Sequence, residues 1–206
     1  MKLESLARMN GFESSGAHSA LFDAELTVKV LGLIKKNQPQ TWDIFLRTAN
    51  KADTEVIIKK EKIFTLAEYH FGKNYRYVVA PLHPKYCIHP IYQWGQAVDL
   101  KVDPVPLLNM SVSELKAAIK KLKFLKTIRS NKAPIILDAS YGMQVEPYSN
   151  LDADLIKERA NLVTSNEKFS QNILTALREN AEEKAQFDSQ EDLLAEETIY
   201  KKFTPQ

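Results

Sequence analysis

The sequence predicts an α+β protein, with helices at both ends and a β-rich middle. Three observations carry this reading. Apolar residues recur at helical spacing through the first forty residues and again beyond residue 150. Between them, "KIFTLAEYHF", "YRYVVAPLH" and "CIHPIYQWGQAVDL" are rich in β-branched and aromatic residues. The punctuating "GKN", "HPK" and "WGQ" read as turns joining short antiparallel strands.

Each element has its own signal. Residues 1–10 read as a short helix with apolar Leu3, Leu6 and Met9, and "NGFESSG" as a loop. A helix is expected from Ser19 to Lys36, with Leu21, Leu26, Val28, Val30, Leu31, Leu33 and Ile34 among its apolar residues. Lys35 and Lys36 suit the negative end of its dipole, and Pro39 breaks the run. "TWDIFLRTANK" reads as a few further helical turns. After the strands, "SVSELKAAIKKLK" carries a capping box, Ser111 with Glu114, and "KAPIILDA" reads as a strand. Two helices are expected near 150–163 and 165–186, the second opened by a capping box of Thr164 with Glu167. A boundary falls near residue 40: residues 1–40 form a helical piece too short to bury a core alone, residues 41–188 an α+β unit, and residues 189–206 an acidic linker.

With 206 residues, 44% hydrophobic and 26% charged, the chain has the composition of a soluble globular protein. No apolar run approaches the roughly 18–20 residues that span a bilayer, and "MKLESLARMN" lacks the apolar core of a signal peptide. Cys87 is the single cysteine, which excludes an intrachain disulfide and a cysteine zinc site. A cytoplasmic location, away from any membrane, fits these features. The net charge of +2 conceals a gradient. Residues 41–132 hold sixteen Lys/Arg against eight Asp/Glu, net +8, whereas residues 133–206 hold seven against fourteen, net −7. A basic middle third points to a polyanion-binding face.

One short stretch raises the question of catalysis. In "GAHSALFDAELT", His18 precedes Asp23 by five positions. On a helix the two lie about 140° apart, so they converge only if His18 sits in the turn before the helix. Taken alone, the pair reads as a loop histidine and a solvated aspartate.

The surroundings add to it. "KLESL", "NG" and "GAHSALFDAELTVKV" in this order resemble the end of the exonuclease domain of DEDDh-type nucleases, where a His and the last of four acids form H-x-x-x-x-D. The resemblance sharpens to bacterial exodeoxyribonuclease I. It continues through Gln38, Pro39, Trp42 and Asp43, then "FG", "VAPL" with "HP", "VDL", Asp103 with "PLL", Asn131, Lys132 and Pro134, and "LREN" at 177–180. It implies the C-terminal helices of an RNase H-like exonuclease domain, followed by an SH3-like antiparallel β domain with inserted and flanking helices. It also implies 3′→5′ hydrolysis of single-stranded DNA by two Mg²⁺ ions, with His18 as general base and Asp23 as catalytic metal ligand. The family's D-x-E and third acid precede its H-x-x-x-x-D segment, and no place for them exists before residue 18. Asp23-Ala24-Glu25 is a false match, because its carboxylates lie about 200° apart on a helix. The expectation is a chain without nuclease activity of its own.

Lys116, Lys120, Lys121, Lys123, Lys126, Arg129 and Lys132 run without an intervening acid. They read either as a solvated basic helix or as a phosphate track for single-stranded DNA. Tyr75, Tyr77, Tyr92 and Trp94 could stack bases or fill the core. The resemblance further implies docking of the acidic, apolar C-terminal tail of single-stranded DNA-binding protein, with Lys62 and Arg178 as basic docking residues. His70, His83 and His89 are not spaced as metal ligands. Two readings stand side by side: an exodeoxyribonuclease, or a non-catalytic module that binds DNA or protein.

Overall fold

A computed structural model describes residues 2–13 and 19–190. Its first four helices are α1 (Leu3–Met9), α2 (Ala20–Asn37), α3 (Pro39–Arg47) and α4 (Lys51–Lys60). Strands β1 (Phe64–His70), β2 (Lys73–Pro81) and β3 (Gly95–Asp99) follow. Then come α5 (Val105–Leu108), α6 (Val112–Leu122), β4 (Leu125–Ile128) and β5 (Ile135–Leu137). Helices α7 (Ala139–Met143), α8 (Ala153–Ser165) and α9 (Glu167–Gln190) complete the described chain. The α+β expectation holds.

Local chemistry sets several boundaries. The expected capping box forms at α6: Ser111 Oγ accepts from the Glu114 N–H while the Glu114 carboxylate accepts from the Ser111 N–H at 2.8 Å. The expected box at Thr164 and Glu167 does not form. Thr164 Oγ1 instead donates to Ala160 O within α8, and Asn166 caps α9 by accepting from the Phe169 N–H at 2.8 Å. An amide one residue from the next helix does the capping, and it releases the threonine to the preceding one. Asn50 caps α4, a helix the sequence reading missed. The β1–β2 hairpin closes on Phe71 (φ 51°) and Gly72 (φ 78°), a two-residue turn whose positive φ values match the twist of the strands.

The sheet is antiparallel throughout, in the order β4-β3-β2-β1-β5. Register places Phe64, Leu66, Tyr77, Val79 and Ile136 on one face. Ala97 and Lys126 pair across β3 and β4, as do Gly95 and Ile128. Helix α4 packs here: a Cβ on Gly95 would lie 2.5 Å from Ile58 Cδ1, so any larger residue would displace the Ile58 side chain. On the other face, α7 sits so near Thr65 and Val78 that Gly142 has no room for a side chain. The Gly142 N–H donates to Thr65 Oγ1 at 2.9 Å. The buried core runs from Ile57 through Phe64, Val79, Leu100, Phe124 and Tyr148 to Ile156, Phe169 and Ile173.

Helix α2 is different. Only Leu26 and Val30 are buried, whereas Leu21 and Val28 are 71% and 68% exposed. Among the described residues it contacts chiefly α1 and α3. No helix of the described chain is long and apolar enough to cross a membrane.

Candidate nucleic-acid interface

The basic run of residues 116–132 is not one helix. It is the end of α6, a left-handed residue at Lys123 (φ 50°), strand β4 and a short 3₁₀ turn at Ser130–Lys132. This breaks the seven cations into groups with different fates. Lys116 faces α9 and pairs with Glu183 at 2.6 Å and Glu179 at 3.3 Å, which raises its pKa, the Glu183 hydrogen bond first. Lys126 points over the Tyr77 ring at 3.4 Å and lies 3.7 Å from the buried carboxylate of Asp99. Burial pulls its pKa down, and Asp99 opposes that shift. Neither is placed to meet a phosphate. Lys120, Lys121, Lys123, Arg129 and Lys132 are exposed, and none of these five forms a salt bridge among the described residues.

Asp99 is fully buried. Its Oδ1 accepts from the Tyr148 hydroxyl and from the Lys101 N–H at 3.2 Å. Its Oδ2 has no hydrogen-bond partner but faces Lys101 at 3.4 Å and Lys126 at 3.7 Å. Burial, reinforced by Asp99, pushes the Tyr148 phenol pKa up.

The four candidate aromatics form two pairs. Tyr75 and Tyr77 are parallel, 6.2 Å apart and inclined by 4°. Tyr92 and Trp94 lie 4.9 Å apart, inclined by 21°, with the Arg129 guanidinium 4.9 Å over the indole. Each pair therefore has a cation from β4 or just beyond it. A cleft of about 430 Å³ is lined by Leu66, Glu68 and His70 of β1 and by Lys126, Arg129 and Lys132. Two strands lie between β1 and β4 in the sheet, so the sheet curls to bring them together.

Other predicted residues scatter. Asp23 occupies the first turn of α2, where its N–H donates to Ser19 O and its carbonyl accepts from Thr27 Oγ1. His18 lies outside the described residues, so its geometry with Asp23 is not part of the structure. Among the described residues no cluster of three or more His, Cys, Asp or Glu could hold a metal ion. The donors among the described residues do not by themselves make up a two-metal centre, since each divalent ion needs several anionic oxygens. Lys62 is exposed and lines a cleft of about 460 Å³ with Lys59, Lys60, Leu82 and Pro84, whereas Arg178 sits on α9 beside Glu182 and does not join it.

Sequence reasoning missed the part α9 plays. Leu177, Asn180 and Lys184, one face of that helix at i, i+3 and i+7, meet Tyr92, Trp94 and Arg129 around a cleft of about 530 Å³. Leu177 and Asn180 belong to the "LREN" stretch, so a signal was present, but its spatial partners were not.

Comparison with known proteins finds a likeness to exodeoxyribonuclease I. No protein-family model matches it. Exodeoxyribonuclease I of Haemophilus influenzae is 32% identical over 154 residues, covering 67% of this chain and 32% of that protein. Exodeoxyribonuclease I of Buchnera aphidicola is 26% identical over 195 residues, 87% of this chain and 45% of that one. An exonuclease I of Methylocaldum szegediense shares the fold with a TM-score of 0.62 at 23% identity. The ExoI/SSB-Ct complex scores 0.59 at 22% identity, and the zinc-bound form of the Escherichia coli ExoI–ssDNA complex scores 0.57 at 22%. These three structures are each covered over 40% of their length by 85% of this chain. The chain is exodeoxyribonuclease I-like over most of its length, and it spans less than half the length of the relatives it matches.

Proposed function

We propose that this chain is the DNA-tracking portion of an exodeoxyribonuclease I-type enzyme, binding single-stranded DNA without cleaving it unaided. The carrying observation is the stacked Tyr92–Trp94 pair with the exposed Arg129 over the indole, beside a cleft rimmed by Arg129 and Lys132. Bases can stack on such rings while lysines and arginines take up phosphate charge. The curled sheet of residues 41–188 supports an SH3-like domain, and the exposed apolar side of α2 supports reading residues 1–40 as the last helices of an RNase H-like exonuclease domain. Residues 189–206 would lead onward as a linker. In the intact family His18 and Asp23 would belong to the Mg²⁺ site, which supplies two-metal hydrolysis. This chain's described donors do not complete that site, and the activity is expected only with further acids supplied. The setting is DNA repair in the cytoplasm.

The test is degradation of 3′-labelled single-stranded DNA with Mg²⁺, alongside binding of the same DNA at two salt concentrations. Binding that weakens with salt and leaves the DNA intact supports the reading. Cleavage abolished by Asp23→Ala would overturn the claim of inactivity. Absence of binding at low salt would overturn the claim of DNA tracking.

A specific observation favours a protein partner as well. The Lys59, Lys60 and Lys62 cleft has Leu82 and Pro84 in its lining, and its carboxylate, Glu61, is paired with Arg47, so it offers cations beside apolar surface. That chemistry suits an acidic, apolar peptide such as the C-terminal tail of single-stranded DNA-binding protein. Lys62→Glu should abolish capture of that peptide, and Arg178→Glu should not.

A further inference from the structure

The 530 Å³ cleft between the 88–94 loop, β4 and α9 has a built character that the general DNA reading does not require. Three rings and a guanidinium line it in succession: His89 to Tyr92 at 4.8 Å and inclined by 41°, Tyr92 to Trp94 at 4.9 Å, and Arg129 at 4.9 Å from the indole. The loop that presents the rings is held at both ends. His89 is 4% exposed, and its Nδ1 accepts from the N–H groups of Ile91 and Tyr92 at 3.1 and 3.2 Å. The His89 N–H donates to Trp94 O at 2.7 Å, and the Gln93 N–H to His89 O at 3.0 Å. An aromatic ledge fixed in this way loses little entropy when a ligand stacks on it.

The polar groups around the ledge are selective. Arg129 and Lys184 bring two positive charges, Asn180 brings an amide with donor and acceptor, and no carboxylate lines the cleft. The acids of α9 nearby, Glu179 and Glu183, are turned to Lys116. Arg129 and Thr127 also line the neighbouring cleft that contains Lys132, so the two are contiguous.

We propose that this cleft is a base-stacking subsite for single-stranded DNA. One nucleobase lies against the Tyr92–Trp94–Arg129 ledge, its edge meets Asn180, and its flanking phosphates meet Arg129 and Lys184. The proposal rests on the DNA-tracking reading and adds to it a defined nucleotide position framed by α9. Rings without hydrogen-bond readout accept any base, and the single amide confers at most a mild preference.

The experiment uses the full chain with Trp42→Phe, which leaves Trp94 as the one indole. Titration with a short oligothymidylate should quench Trp94 emission in step with binding measured independently by anisotropy. Tyr92→Leu should weaken binding by between about fivefold and about a hundredfold with an unchanged salt slope, as loss of one stacked base does. Lys184→Gln should reduce the salt slope by about 0.7, the share of one phosphate contact on a single strand. Arg129→Lys keeps the charge but not the plane, so it should weaken binding at constant slope. Thermal midpoints establish that each variant folds, and the two polar variants keep the test decisive should Tyr92→Leu unfold. Binding with silent Trp94 emission and all three variants within twofold of the parent would overturn the subsite and leave DNA tracking standing. No binding of oligothymidylate at low salt would remove the DNA-tracking reading and the subsite together.

Discussion

Replacing Asp99 by asparagine removes a negative charge from a position without solvent access. The amide retains an oxygen for the Tyr148 hydroxyl and the Lys101 N–H, so the perturbation is largely electrostatic. Lys101 has a side chain 39% exposed and can rehydrate, which limits its share to about 1 kcal/mol or less. Lys126 has a side chain only 17% exposed and keeps just the Tyr77 ring as partner. Breaking a buried pair and stranding one charge costs about 3–5 kcal/mol, and the retained hydrogen bonds place Asp99→Asn near the lower end, about 3 kcal/mol at pH 7. The penalty has a pH signature. Burial already lowers the Lys126 pKa, and loss of Asp99 lowers it further. A lysine with a depressed folded pKa gains stability as pH rises from that pKa toward the unfolded value near 10.4. The cost of Asp99→Asn should therefore shrink between pH 7 and pH 9.5. Urea unfolding of parent and variant at both values measures this. Adding Lys126→Met to Asp99→Asn should recover most of the loss at pH 7, because an apolar chain needs no counter-charge. A penalty below about 1 kcal/mol that is equal at both pH values would refute the reasoning.

Further predictions follow from packing and backbone geometry. Gly142→Ala should destabilise the protein by about 1–2 kcal/mol in urea unfolding, because overpacking exceeds the helical gain; its Cβ would fall 2.6 Å from Val78 Cγ2. Gly32→Ala in α2, with nothing within 4 Å, should instead stabilise by up to about 1 kcal/mol. Phe71→Asn should raise the thermal midpoint, since Phe71 is fully exposed at φ 51° and asparagine before Gly72 favours this turn. His89 has its pKa lowered by burial. Its neutral form thus contributes stability that is fully present above about pH 6.5 and is lost as pH falls through the lower folded value, to be read as a His89-dependent slope in stability below that pH.

What the sequence determined by itself is what neighbours along the chain decide. Ser111 and Glu114 are three residues apart, and their mutual capping needs no other part of the molecule. The β-branched and aromatic content of "KIFTLAEYHF" and "YRYVVAPLH" announces two strands for the same reason, although the turn falls at Phe71–Gly72 and not across "GKN", whose Lys73 and Asn74 already pair in β2. The ordered short motifs carry family membership without any knowledge of contacts. Other features were decided only by the tertiary structure. Helix α4 carries the β-branched run Val56, Ile57 and Ile58, which local preference does not assign to a helix; burial of Ile58 against Gly95 settles it. Strand β4 lies hidden in a lysine-rich run because its identity comes from pairing with β3, some thirty residues earlier. The candidate site shows this most clearly. Seven cations look alike in sequence, yet Lys116 meets acids on α9, Lys126 meets a buried carboxylate, and Arg129 meets an indole. A charge is available to a ligand only when no protein group has claimed it, and folding brings those groups from distant parts of the chain.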